Sequence, residues 1–209
     1  MSSPARSLGY VAGLIIPAWL LFGVIYVASQ YPGYSHFSQA LSALGAVDAP
    51  THTLSPLVNN FPLGALFLVF AIALYATPQL PRLSKASAFL IGLHGLCSIG
   101  TGLFSCDAGC KPVEPSSAQQ LHNLFGLLMA LSLLVASALW SYIAFKSNRR
   151  GFGFFSIAMT FATLTTLTMT AAAAQMDNGF GLYQRLNYGA SVIWIAGLAV
   201  LLLRERKRA

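Results

Sequence analysis

Six apolar blocks constrain this chain more than anything else in it: Leu8–Gln30, Ser55–Ala76, Ser84–Phe104, Gln120–Phe145, Phe152–Ala174 and Leu182–Leu203. A hydrocarbon core of about 30 Å is crossed by about twenty helical residues at a rise of about 1.5 Å each. Inside it every backbone N–H and C=O must be satisfied within the protein, so each block is expected to be an α-helix. Membrane-spanning strands are set aside, because the blocks are continuous apolar runs and not short alternations. Charged residues make up only 8% of the chain, against about a quarter in a soluble domain. Too few charges remain to cover a water-facing surface. The expected fold is all-α, a single domain over residues 1–209 that forms a polytopic bundle of six transmembrane helices.

The connections sort by charge. Arg6, the turn with Arg82 and Lys85, the turn with Lys146, Arg149 and Arg150, and the tail with Arg204, Arg206, Lys207 and Arg208 hold ten of the twelve basic residues. The alternate connections hold only Lys111 and Arg185, but carry Asp48, Asp107, Glu114 and Asp177. The two sets alternate as six crossings require. By the positive-inside rule both termini are cytoplasmic, and the expected location is the inner membrane. The net charge of +7 is therefore a topology signal. It forms no basic face with interleaved aromatics, so nucleic acid is excluded as a partner. Val27-Ala28-Ser29 resembles a signal cleavage site, but the apolar run before it exceeds the usual 7–15 residues of such a region. A retained helix, kinked at Pro17, is expected.

The outer connections, about Tyr31–Leu54, Ser105–Gln119 and Gln175–Gly181, are longer than the inner ones and hold most of the chemistry. The first contains Ser42-Ala43-Leu44-Gly45 and is followed by Asn59-Asn60-Phe61. The third block ends Gly102-Leu103-Phe104-Ser105-Cys106-Asp107, and the fourth begins Leu121-His122-Asn123. In these features, and in its six helices, the chain resembles the prokaryotic membrane family called domain of unknown function 998. The resemblance spans nearly the whole chain. It implies a six-helix fold and a membrane location, and it supplies no activity. The pair Cys106 and Cys110 is not part of it.

The outer side gathers His36, Ser38, Ser42, His52, Asp107, His122, Asn123, Asp177 and Arg185. Ionisable groups at membrane depth are costly and usually functional. Near the interface they also serve as helix caps and loop ties: Ser116 or Ser117 would cap the fourth helix, and Arg185 would pair with Asp177 or Asp107. Asp107 and His122 flank one hairpin loop. In contact they would form a general base, with Ser38 or Ser42 as nucleophile. Alternatively His36, Asp107 and His122 would hold a metal with an open position. As a ligand pocket the same region would use His36, Asn60, Asn123 and Arg185, the guanidinium receiving an anionic headgroup through paired hydrogen bonds. No motif specifies a cofactor.

Cys106 and Cys110 flank Asp107-Ala108-Gly109 in an outer loop, where a disulfide is permitted. Cys97 is expected to be a buried thiol. His94 lies too deep to pair with His122 across a haem. Thr160, Thr163, Thr166 and Thr170 recur at helical spacing on the fifth helix and are expected to pack inward. The leading expectation is an outward-facing polar pocket that binds a lipid headgroup or small ligand, membrane lipids being the partners, with a protein partner or a second copy also possible. The alternatives are a lipid-directed hydrolase or transferase built on His122 and Asp107, and a small carrier.

Overall fold

The computed structural model describes residues 3–206 apart from Gln79. Lys207 and Arg208, counted above with the basic tail, lie outside the described residues. Among the described residues there are six long helices: α1 (Ser3–Ser29), α2 (Phe61–Tyr75), α3 (Leu83–Leu103), α4 (Ser117–Lys146), α5 (Arg150–Met176) and α6 (Phe180–Arg206). Among the described residues there is no strand. All six are long and apolar enough to cross a membrane, α2 together with the π-helical turn that precedes it. This is a multi-pass membrane protein.

The helices outrun the apolar blocks that announce them, because caps set helix ends and hydropathy does not. α4 starts at Ser117 because the Ser116 hydroxyl accepts the Gln119 N–H at 3.1 Å. α5 continues to Met176 and stops at Asp177, which is left-handed at φ 52°. The second block does not begin as an α-helix. Pro56–Asn60 forms a π-helical turn, with Pro56 and Pro62 at the starts of the turn and of α2.

Each helix packs against its neighbours in the chain, and α1 packs against α6, so the six close into a ring. Missing side chains let the backbones approach. A Cβ on Gly95 of α3 would stand 2.8 Å from the Gly64 carbonyl oxygen of α2, the close approach that small residues permit between membrane helices. Leu21, Phe22, Ile25, Phe89 and Phe161 are exposed on the outside of the ring, where hydrocarbon would contact them.

The ring has two unlike ends. The connections α2–α3 and α4–α5, with Arg6 and Arg204, make a basic end. The connections α1–α2, α3–α4 and α5–α6 make the other, called here the capped end. The half toward the basic end is solid, filled by Phe67, Phe70, Ile91, Trp140, Trp194, Ile195 and Leu198, all essentially inaccessible. At that end Arg149 clamps Glu205 through Nε and Nη2.

Candidate functional site

The segment between α1 and α2 folds back over the capped end as a roof. It holds its own shape through local bonds: Tyr34 hydroxyl to Ala40 carbonyl (2.7 Å), Ser35 N–H to Gln39 side-chain oxygen (2.7 Å) and Thr51 hydroxyl to Leu44 carbonyl (2.6 Å). His52 Nδ1 lies 3.0 Å from the carbonyls of both Gly45 and Ala46. The roof is fastened to the start of α6. The Leu182 N–H donates to Phe37 (2.9 Å), and the Leu41 N–H donates to the Gln184 side chain (2.7 Å). A Cβ on Gly181 would stand 2.3 Å from the Gln39 carbonyl oxygen, so only glycine admits this approach.

Arg185 completes the fastening and corrects an expectation. Its Nη1 donates to the carbonyls of Gln39 (3.0 Å) and Gly181 (2.8 Å), and its Nη2 donates to the Tyr34 hydroxyl, with the guanidinium over the Tyr34 ring. It pairs with neither Asp177 nor Asp107, and it is not part of the cavity wall. Asp177 instead meets Lys111 on the exposed rim, and this pairing holds its carboxyl below the usual range. Burial raises the Tyr34 phenol, with Arg185 opposing the shift. His36 is exposed, its ring edge-on to Tyr34.

The Asp107–His122 dyad does not form either. Asp107 accepts the Ser116 hydroxyl (2.6 Å) and the Ser116 N–H (2.9 Å), which lowers its pKa. Its own N–H donates to the Gln119 side chain (2.9 Å), which passes its other end to Asn123 (2.8 Å). His122 Nδ1 lies 2.7 Å from the Phe104 carbonyl. Both residues therefore close the α3–α4 hairpin by capping it. The expected capping role of Ser116 is present; the expected contact of Asp107 with His122 is not. Nor do His36, Asp107 and His122 converge: among the described residues no group of three His, Cys, Asp or Glu side chains is placed to hold a metal. The metal reading lacks its donor set. Cys106 and Cys110 are bridged, and Cys97 is a buried free thiol.

Beneath the roof the ring is hollow. A cavity of about 840 Å³ is lined by Ser38 and Ser42 of the roof, Asn59 and Asn60 of the π-helical turn, Ser98 and Thr101 of α3, His122 and Asn123 of α4, and Asn187 and Ser191 of α6. Leu20, Val24, Leu63, Leu127, Leu133 and Leu167 supply its apolar wall. His94 forms part of the floor, roughly 14 Å below the end of α3 at the helical rise. Its Nδ1 lies 3.0 Å from the Met129 carbonyl and its Nε2 3.2 Å from the Tyr188 hydroxyl.

Asn59, named from sequence only within Asn59-Asn60-Phe61 and given no site role, lines the cavity. It is 8% exposed, and its side-chain oxygen is buried without a hydrogen-bond partner. A Cβ on Gly23 would lie 2.1 Å from that oxygen, so Gly23 makes the space the amide occupies. The available signal was two adjacent asparagines at the start of an apolar block, between Pro56 and Pro62. Asn60 donates to the Thr101 hydroxyl (3.0 Å), and its carbonyl accepts the Ser98 hydroxyl (2.9 Å).

The threonine stripe of α5 packs inward. Thr160 donates to Ser137 (2.8 Å), Thr163 lies 3.5 Å from Ser191, and Thr166 receives Asn187 (3.3 Å). The hydrogen bond and ring contacts between α4 and α5 lie toward the basic end, at Ser137–Thr160, Trp140–Phe152 and Phe145–Phe154. Nearer the capped end the cavity reaches both helices, at Gly126, Leu127 and Ala130 of α4 and at Leu167, Thr170 and Ala174 of α5. Leu127 is 53% exposed there, and a Cβ on Gly126 would meet nothing within 4 Å.

Searched against curated proteins and solved structures, the chain matches none. A family model described as protein of unknown function (DUF998) matches residues 14–201, nearly the whole of the ring, and the chain belongs to that family.

Proposed function

We propose that this protein lies in the cytoplasmic membrane with its basic end inward, and that the roofed cavity at its outward end binds a lipid headgroup or a small amphipathic ligand. The orientation is supported by the crowding of lysine and arginine at one end and by the positive-inside rule.

The binding reading is carried by the cavity itself. Its volume of about 840 Å³ lies in the range of small-molecule sites, about 300–1,000 Å³. Its wall joins hydrogen-bonding groups to leucines, which suits a molecule with a polar and an apolar part. The aromatic plug around Phe67, Trp140 and Trp194 ends the cavity near mid-depth, which favours a binder over a passage. Ser38 and Ser42 line the cavity, but neither hydroxyl is hydrogen-bonded to a base among the described residues. A hydrolase has less support for that reason.

The reading is tested by purifying the protein in a non-glycosidic detergent and identifying extracted small molecules by mass spectrometry. One amphiphile at near-stoichiometric amount is expected, and a protein carrying only the bulk lipid mixture would refute binding. Labelling of cysteines placed in the α2–α3 turn by a membrane-impermeant reagent in intact cells would refute the orientation.

A further inference from the structure

We infer that the headgroup taken by this cavity is uncharged and rich in hydroxyl or amide groups, as in a glycosyl lipid, and does not carry a phosphate. The inference rests on the cavity being a ligand site and narrows the class of ligand.

An anion removed from water needs a counter-charge, because an unpaired buried charge costs far more than one hydrogen bond returns. The capped end has two candidate cations. Arg185 is not part of the cavity wall: its Nη1 and Nη2 donate to Gln39, Gly181 and Tyr34, and its Nε is buried without a partner. Lys111 sits on the rim, largely exposed and already paired with Asp177, so the two together add no net charge. The imidazoles of the wall, His94 and His122, bond to the carbonyls of Met129 and Phe104 and offer no fixed positive charge. Among the described residues no arginine lines the cavity, and its one lysine is the rim Lys111 already paired with Asp177.

The polar groups of the interior are neutral amides and hydroxyls: Asn60, Ser98 and Thr101 bond among themselves, Asn187 and Ser191 bond to each other and to α5, and the side-chain oxygen of Asn59 is left without a partner. Each amide can donate and accept, the pattern that matches a polyol or another amide. Asn59 is the most specific feature. It sits in a π-helical turn, an irregularity that recurs at functional sites, in a niche opened by Gly23, with one end of its amide unbonded. The apolar groups of α4 and α5, including the exposed Leu127, give the tail a wall that leads toward hydrocarbon.

The test is a thermal-shift titration of the full chain in a polyoxyethylene detergent, since alkyl glycosides would themselves compete. The probes are a monoglucosyl diacylglycerol, phosphatidylglycerol and free glucose. Ligand that binds only the folded state raises the melting temperature with its concentration. The glucosyl lipid is expected to give a saturable rise that does not change between low and high salt. Free glucose is expected to act only at far higher concentration, which separates a lipid from a sugar ligand. Asn59→Leu should weaken the glucosyl lipid about tenfold, the scale of one lost hydrogen bond. Should that variant fail to fold, Gly126→Trp, placed where a side chain meets open space, should weaken the lipid and leave the melting temperature without ligand unchanged. A stronger, salt-sensitive response to phosphatidylglycerol that Lys111→Ala removes would overturn the neutral-headgroup inference and leave the cavity reading standing. No response to any probe, with no molecule extracted, would overturn both.

Discussion

Replacing Arg185 by methionine keeps an unbranched apolar stem and removes the guanidinium with its donors. The Gln39 carbonyl and the Tyr34 hydroxyl lose the N–H donated across the seam, and the Gly181 carbonyl loses one donated within α6. Hydrogen bonds from a charged group contribute about 1.5–3 kcal/mol each, but this site is half-buried and water would re-solvate part of what is exposed. A net loss of about 3 kcal/mol in the docking of the roof is a reasonable scale. At about 1.4 kcal/mol per factor of ten, that raises the open population roughly a hundredfold. The loss falls on the seam between roof and α6, not on the ring, whose plug lies toward the opposite end. Hydrogen exchange followed by mass spectrometry reads this directly. Peptides carrying the Leu41 and Leu182 amides, both bonded across the seam, should exchange roughly a hundredfold faster by the same scale, while α3 peptides around Ile91 stay protected. Arg185→Lys should recover only part of the protection, because an ammonium cannot reach three acceptors in the guanidinium geometry. Unchanged exchange at Leu41 and Leu182 would refute the argument that Arg185 holds the roof.

Three further outcomes are expected. Gly95→Ala drives a Cβ to 2.8 Å from the Gly64 carbonyl oxygen and should destabilise the fold by about 1–3 kcal/mol, whereas Gly126→Ala, which meets open space, should be neutral or slightly stabilising in the same thermal melt. Alkylation and mass measurement should find one reactive thiol in the denatured, unreduced chain, Cys97, and three after reduction; Cys106→Ser with Cys110→Ser should cost about 2 kcal/mol for so short a loop. Asp107 has a pKa lowered in the folded state by Ser116, so its contribution is present above the ordinary carboxylate value and is lost as pH falls through the lowered one. Asp107→Asn should flatten the acid limb of a stability–pH profile, and an acid limb identical to the parent's would show that the bonds to Ser116 carry no weight.

The sequence made the six helices legible because burial in hydrocarbon leaves a long, continuous record in residue type. The alternation of basic and acidic connections followed, and so did the cap at Ser116, whose motif is local. The site was legible only as a collection of residues at one end. From sequence Arg185 and His122 are expected to meet a carboxylate or a metal, yet each bonds to backbone carbonyls. Every residue of a chain carries such a carbonyl, so a side chain that pairs with one leaves no trace in the composition of its partner. Asp107 and Asp177 illustrate the same point from the other side: each found a nearer donor, Ser116 or Lys111, than the one expected. A polar pocket at this end was expected, and Ser38, Ser42, Asn60, His122 and Asn123 do line the cavity, but its depth and its apolar wall were not legible. A hollow depends on how far helices stand apart, and neither Gly126 nor Leu127 announces whether it meets a neighbour or empty space.

The order of contacts around the ring has a consequence for how the protein is made. Five of the six helix interfaces join consecutive helices and can form as each hairpin enters the bilayer. The seam between α1 and α6 joins the two most distant spans and waits for the last of them. The roof waits too, since its fastenings are Gly181, Leu182, Gln184 and Arg185. The ring and its cover therefore both depend on α6, so one late event would shut the two together.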